Sequence, residues 1–148
     1  MLSSATEVDD ETPDAGTTTR ETFLGSSKDV NFAGPDAYRA GDGTFALPGD
    51  QPADSFALDG DWTVQTQYAT PATASGGGIR LDFHASEVRM VLAGTGDVRV
   101  RLDGGAERIV HVSGTPRSYA VVERGHDGRS VLDVTVPPGV EAYSFTFG

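Results

Sequence analysis

A chain of 148 residues with 22 acidic and 11 basic side chains has a formal charge of −11 and no cysteine. The acidity argues against capture of nucleic acid or of an anionic membrane surface, both of which need a basic footprint. The missing cysteines exclude disulfides, thiol chemistry and Cys-ligated zinc within this segment. A chain of this size can bury roughly two-thirds of its unfolded surface and form one core without covalent staples.

Residues 1–22 carry six acids and one arginine among Ser, Thr, Pro and Gly, with almost nothing apolar. Such a segment cannot offset its ordering entropy, so it reads as a disordered linker or tail, with the folded domain over 23–148. No apolar run approaches the ~20 residues that span a bilayer. Nor does the start resemble a signal peptide: Met1 to Ser4 runs straight into Glu7, Asp9, Asp10, Glu11 and Asp14. Taken alone the start points to the cytoplasm. As a piece of a longer chain it places any export signal upstream.

From Phe23 onward short apolar runs alternate with turn residues, and 19 glycines and 8 prolines leave no room for long helices. Strands are expected at 45–47, 55–58 and 61–68. Trp62 follows a turn there and shares a face with Val64, Thr66 and Tyr68. The run Ser75-Gly76-Gly77-Gly78 lacks the Gly-Lys-Ser/Thr ending of a phosphate loop and reads as a connection before the next strand. Strands follow at 79–85, 87–93, 98–102, 107–112, 117–123, 130–136 and 141–147. Ile79, Leu81 and Phe83 face one way, as do Val88, Met90 and Leu92, and as do Tyr143, Phe145 and Phe147. Period-2 alternation places one face on a core and the other in solvent. About ten short strands with frequent turns predict an all-β antiparallel sandwich of jelly-roll type.

Reactive constellations are absent from the pattern. His84, His111 and His126 are scattered, without H-x-H or HExxH spacing, and no Gly-x-Ser-x-Gly elbow occurs. Asp82, Asp103 and Asp133 occupy polar strand positions with nothing to single out a catalytic pair. A binding role is the better expectation. The outward positions carry Arg80, Asp82, His84, Arg89, Arg99 and Arg101. Such a strip can fork onto sugar hydroxyls or a carboxylate, or it can be a set of cross-strand ion pairs that keep the face soluble. Trp62, the single tryptophan, is a stacking platform on one reading and a core residue on the other. Candidate ligand contacts are therefore Trp62, Arg80, Asp82, His84, Arg99 and Arg101.

The ending Pro137-Pro138-Gly139-Val140-Glu141-Ala142-Tyr143-Ser144-Phe145-Thr146-Phe147-Gly148 resembles the close of DipZ-type cytochrome c biogenesis and thiol–disulfide proteins, PGVEAYAFTFG. Thr19-Arg20-Glu21-Thr22-Phe23-Leu24-Gly25 stands where that family has T-P-E-T-Y-L-G, with Arg20 in place of Pro and Phe23 in place of Tyr. Leu58-x-Gly60-x-Trp62-x-Val64, Leu81-x-Phe83-x-Ala85-x-x-Val88, Val100-x-Leu102-Asp103-Gly104 and Arg117-x-Tyr119 are similar too, while the stretch between Glu107 and Arg117 is shorter than the family's. The resemblance implies a C-terminal jelly-roll of galactose-binding or carbohydrate-binding-module type, following a membrane domain and an extracytoplasmic thioredoxin-like domain that holds the redox cysteines. It thereby implies an extracytoplasmic location, tethered through the parent's membrane domain.

Two roles follow. One is a non-catalytic module that holds the redox domain at cell-wall polysaccharide or oligosaccharide. The other is a structural or protein-interaction domain packed on the thioredoxin-like domain, with no glycan ligand. No cofactor is implied. A structural calcium ion is compatible with the fold class, although no ligand motif marks it.

Overall fold

The computed structural model describes residues 18–28, 31–35 and 37–148. Residues 1–17, most of the expected linker, lie outside them. Eleven strands occur among the described residues: β1 (Thr22–Phe23), β2 (Gly41–Phe45), β3 (Phe56–Val64), β4 (Ala69–Pro71), β5 (Gly77–His84), β6 (Glu87–Gly94), β7 (Gly96–Leu102), β8 (Glu107–Val112), β9 (Arg117–Glu123), β10 (Arg129–Val136) and β11 (Val140–Phe147). One turn of 3-10 helix, Ser26–Lys28, is the only helix among the described residues. All named strand pairs are antiparallel.

The fold is a β-sandwich whose two sheets share β3. Residues 56–59 pair with β5 and complete the sheet β8-β7-β10-β5-β3. Residues 60–64 pair with β2 and β4 in the other sheet, which continues through β11 and β6 to β9. Two short strands were expected here, at 55–58 and 61–68; one nine-residue strand replaces them. It changes sheets at Gly60, whose φ of 94° is a conformation that side chains resist. The strand then ends at Val64, and Gln65 donates its N–H to the Tyr68 carbonyl in a turn. Thr66 and Tyr68 therefore do not continue the Trp62 face.

Trp62 is fully buried, and its indole N–H donates to the Asp59 carbonyl at 3.0 Å. Its ring lies against Gly77, where an added Cβ would come within 2.5 Å of the indole. Gly77 and Gly78 are thus the first residues of β5 rather than part of a connection. Around Trp62 the two sheets close on Phe56, Leu58, Ile79, Leu81, Phe83, Met90, Leu92, Leu132 and Phe145, all at most 2 % exposed.

Strict alternation fails where a bulge inserts a residue. In β11 the register slips between Ala142 and Ser144, so Tyr143 turns outward while Phe145 stays in the core. The expected common face of Tyr143, Phe145 and Phe147 is broken for that reason. A second slip, opposite Val88 and Arg89, leaves neighbouring Val121 and Val122 both buried.

At the open side of the sandwich β8 and β9 are edge strands of opposite sheets. Arg108 on β8 reaches across to donate to the Ala120 and Val121 carbonyls at 2.9 and 3.1 Å, occupying acceptors that an edge strand leaves free.

Among the described residues tertiary contacts are already present at Thr19, ahead of the boundary at Phe23 that composition indicates. The Thr19 N–H donates to the His84 carbonyl, its hydroxyl accepts from the His84 N–H, and it donates to Asp54. Small polar residues that look like linker here act as backbone partners for a strand end.

Gly77→Ala is expected to destabilise the domain by about 1–3 kcal/mol, because the buried indole has nowhere to move. Urea unfolding checks this: an unchanged midpoint would show that Trp62 is not held against Gly77.

Candidate functional site

The sheet β8-β7-β10-β5-β3 carries the predicted polar strip on its outer face. Register places Asp133 between Arg101 and Arg80. Arg80 pairs with Asp133 at 3.2 Å, whereas Arg101 donates to the Gly105 carbonyl at 2.8 Å. Asp82 accepts from Arg129 at 2.8 Å, and Arg129 also reaches Asp54. These two carboxylates hold the Arg129 guanidinium above its ordinary range, against the opposing effect of partial desolvation. Arg99 pairs with Glu107 at 3.4 Å. Of the six predicted contacts, four therefore share this face, each already engaged by a neighbour.

The other two are not surface residues. Trp62 lies in the core and offers no stacking face. His84, expected outward by alternation, is 5 % exposed because the Thr19 segment covers the end of β5. Its Nδ1 has no hydrogen-bond partner among the described residues. His111 pairs with Asp97 at 2.7 Å on an exposed edge, and His126 sits in a turn. No group of three His, Cys, Asp or Glu side chains converges as a metal site among the described residues.

The principal cavity lies elsewhere, along the free edge of β2. A cleft of about 670 Å³ opens between that edge and residues 32–35 and 37–40, lined by Phe32, Arg39, Asp42, Thr44 and Phe45 among others. That volume falls within the ~300–1,000 Å³ of ligand pockets. Its floor is aromatic: the Phe32 ring lies 4.6 Å from Tyr38, 6.0 Å from Phe45 in an edge-to-face contact, and 5.4 Å from Phe56. Phe32 and Phe45 are only partly buried.

Local bonds fix both walls. The Phe56 N–H donates to the Asn31 carbonyl and the Ala33 N–H to the Phe56 carbonyl, tying the 31–33 segment to β3. The Tyr38 hydroxyl donates to the Leu24 carbonyl at 2.7 Å. On the opposite wall the Thr44 hydroxyl donates to Asp61 and the Thr63 hydroxyl to Asp42, both at 2.6 Å. These bonds pin β2, an edge strand with a single partner. An expected strand at 45–47 is realised earlier, at Gly41–Phe45, because its partner turns to the other sheet at Gly60 and Pro48 cannot donate to a ladder. Period-2 alternation does not mark this cleft. Its available signal was a pair of phenylalanines, each beside a glycine that lets the ring lie against backbone, at Phe32/Gly34 and Gly43/Phe45.

A smaller cavity of about 350 Å³ lies by Phe23, Lys28, Gln67 and Tyr143. Tyr143 meets Tyr68 at 5.2 Å between ring centres and donates its hydroxyl to Glu141 at 3.2 Å. Partial burial foremost, then the Glu141 carboxylate and Tyr68, hold this phenol above its usual range.

The sequence profile of a family described as "Thioredoxin like C-terminal domain" matches residues 19–148. The chain belongs to that family. It is 37 % identical over 145 residues to the protein DipZ of Mycobacterium bovis and to that of Mycobacterium tuberculosis, a match covering 98 % of this chain and 20 % of each relative. The chain thus spans about a fifth of the length of the curated relatives it matches. Among solved structures it is similar to a family two carbohydrate esterase from Clostridium thermocellum in complex with cellohexaose, with TM-score 0.48 and 19 % identity over 55 % of this chain and 27 % of that one. A family two carbohydrate esterase from Cellvibrio japonicus gives 0.48 and 8 % over 88 % and 31 %. The Podospora anserina GH26-CBM35 β-(1,4)-mannanase gives 0.44 and 12 % over 86 % and 27 %. These likenesses are too distant to bear on a ligand. No helix among the described residues is long and apolar enough to cross a membrane.

One pH effect follows from Tyr143. A phenol held above its unfolded pKa binds its proton more tightly in the folded state. Its contribution to stability is whole below about pH 10 and is lost as pH rises through the folded value. Melting temperatures from pH 9 to 12 should therefore fall less steeply in Tyr143→Phe than in the parent chain; identical slopes would contradict the assignment.

Proposed function

We propose that this chain is a non-catalytic carbohydrate-binding module at the C-terminal end of an extracytoplasmic, membrane-anchored thiol–disulfide protein of the DipZ type, and that sugar occupies the β2 cleft. The observation that carries the reading is the cleft itself: partly bare Phe32 and Phe45 rings beside polar groups, in a cavity of ligand size. Pyranose rings present C–H faces that pack on aromatic side chains, and their hydroxyls need donors and acceptors at the rim. Arg39, Thr44 and the unpaired edge of β2 offer both kinds of group there.

A module that binds without reacting fits the disposition of the reactive residues. The histidines lie apart, the charged face is engaged with itself, and thiol chemistry must come from cysteines elsewhere in the parent. The second role, a domain packed on its thioredoxin-like neighbour, draws support from Thr19. That residue is clamped beside Asp54 and His84, at the rim of the charged face.

A glycan array that includes arabinan, galactan and peptidoglycan fragments separates the two. The parent chain and Arg101→Ala should bind alike, and Phe45→Ala should bind about tenfold more weakly, the loss of about one aromatic contact. Circular dichroism confirms that each variant is folded. No binding by the folded chain, or binding indifferent to Phe45, would sink the sugar reading and favour the scaffold.

A further inference from the structure

We infer that the β2 cleft selects sugars carrying a single carboxylate, and that Arg39 is the residue that reads it. The inference rests on the cleft being the sugar site and adds the chemical class of its ligand.

Arginine is almost the sole cation of this chain, with Lys28 the one lysine. Eight of the ten arginines spend their guanidinium on a carboxylate, a hydroxyl or a backbone carbonyl of a neighbouring segment. The two with no such bond among the described residues are Arg20, which lines none of the cavities described above, and Arg39, which lines the principal one. Arg39 is exposed on the cleft wall, and its five donors meet no acceptor among the described residues.

The other charged residue that lines the cleft, among the described residues, is differently placed. Asp42 already accepts the Thr63 hydroxyl at 2.6 Å and makes no ion pair with Arg39. Asp42 is bonded to β3, while Arg39 lines the cavity with no bonded partner among the described residues. A planar fork is matched best by a planar carboxylate, which takes two parallel N–H bonds. Neutral hydroxyls would take the same donors one at a time, without the second charge that a carboxylate brings.

Overall charge sets an upper limit on the anion. A protein at −11, with Asp42 in the cleft, repels a densely charged polymer or a dianionic phosphate. One carboxylate on an otherwise neutral oligosaccharide meets Arg39 at short range. There the repulsion of distant acids is damped over a Debye length of about 8 Å at physiological salt.

The test uses short oligosaccharides bearing one glucuronate or one galacturonate, each beside its carboxyl-reduced neutral form, titrated calorimetrically into the whole chain. The acidic forms should bind about three- to tenfold more tightly than their reduced partners, the range of an exposed but forked ion pair. Arg39→Ala should remove that preference, Arg39→Lys should retain part of it, and added salt should shrink it. Equal affinity for acidic and reduced forms, or a preference indifferent to Arg39, overturns the inference while leaving the cleft a sugar site. Failure of every acidic and reduced probe overturns the inference, and a blank on the glycan array besides overturns the sugar reading with it.

Discussion

The passage of β3 from one sheet to the other at Gly60 is the constraint on which the remaining architecture depends. A single strand serves both layers, so the position of one layer fixes the other, and Trp62 just past the bend fills the space between them. The bend requires a left-handed backbone, which glycine supplies without steric cost, and the tryptophan requires a residue without a side chain opposite, which Gly77 supplies. Removing the indole would leave a cavity costing about 3–5 kcal/mol, a large share of the stability of a domain this size. The same bend strands β2 at an edge. Once β3 leaves for the other sheet, β2 has one partner and a free side, and the cleft forms along that side.

Charge and aromaticity are consequently divided between two surfaces. The β8-β7-β10-β5-β3 sheet displays arginines and acids in cross-strand register, and neighbours neutralise one another. Each such exposed pair contributes about 0–1 kcal/mol, so the face is better described as soluble than as adhesive. A ligand there would have to break existing pairs before making its own. At the β2 cleft the floor is apolar, the rings are partly bare, and Arg39 has no ion pair among the described residues. A ligand in the cleft would displace water from Arg39 but would have no ion pair to break there.

Much of this arrangement was legible from residues alone, and the exceptions have identifiable causes. Alternation located the inward faces of β5, β6 and β7 because those strands are regular, and Leu81, Met90 and Val98 are fully buried as it requires. It misassigned Tyr143, since a bulge leaves no trace in hydrophobic periodicity. It placed His84 in solvent because the residue that covers it, Thr19, is 65 positions away and belongs to a stretch whose composition reads as linker. The two weighed fates of Trp62 could not be separated by pattern, as a platform and a core residue alternate identically; only the glycine opposite decides. The cleft escaped detection because its walls are a loop and an edge strand joined by pairing with β3, a non-local relation. Membership of the thioredoxin-like C-terminal domain family agrees with the resemblance carried by the two chain ends.

The central claim is that ligand engages the aromatic cleft and not the arginine strip. The most direct measurement is a backbone amide NMR titration of the whole chain with the oligosaccharide that binds most tightly on the array. Shifts concentrated between residues 32 and 46 are the outcome this account predicts. Shifts concentrated at Arg80, Asp82, Arg99 and Arg101, with the cleft silent, would contradict it and return the binding face to the charged sheet.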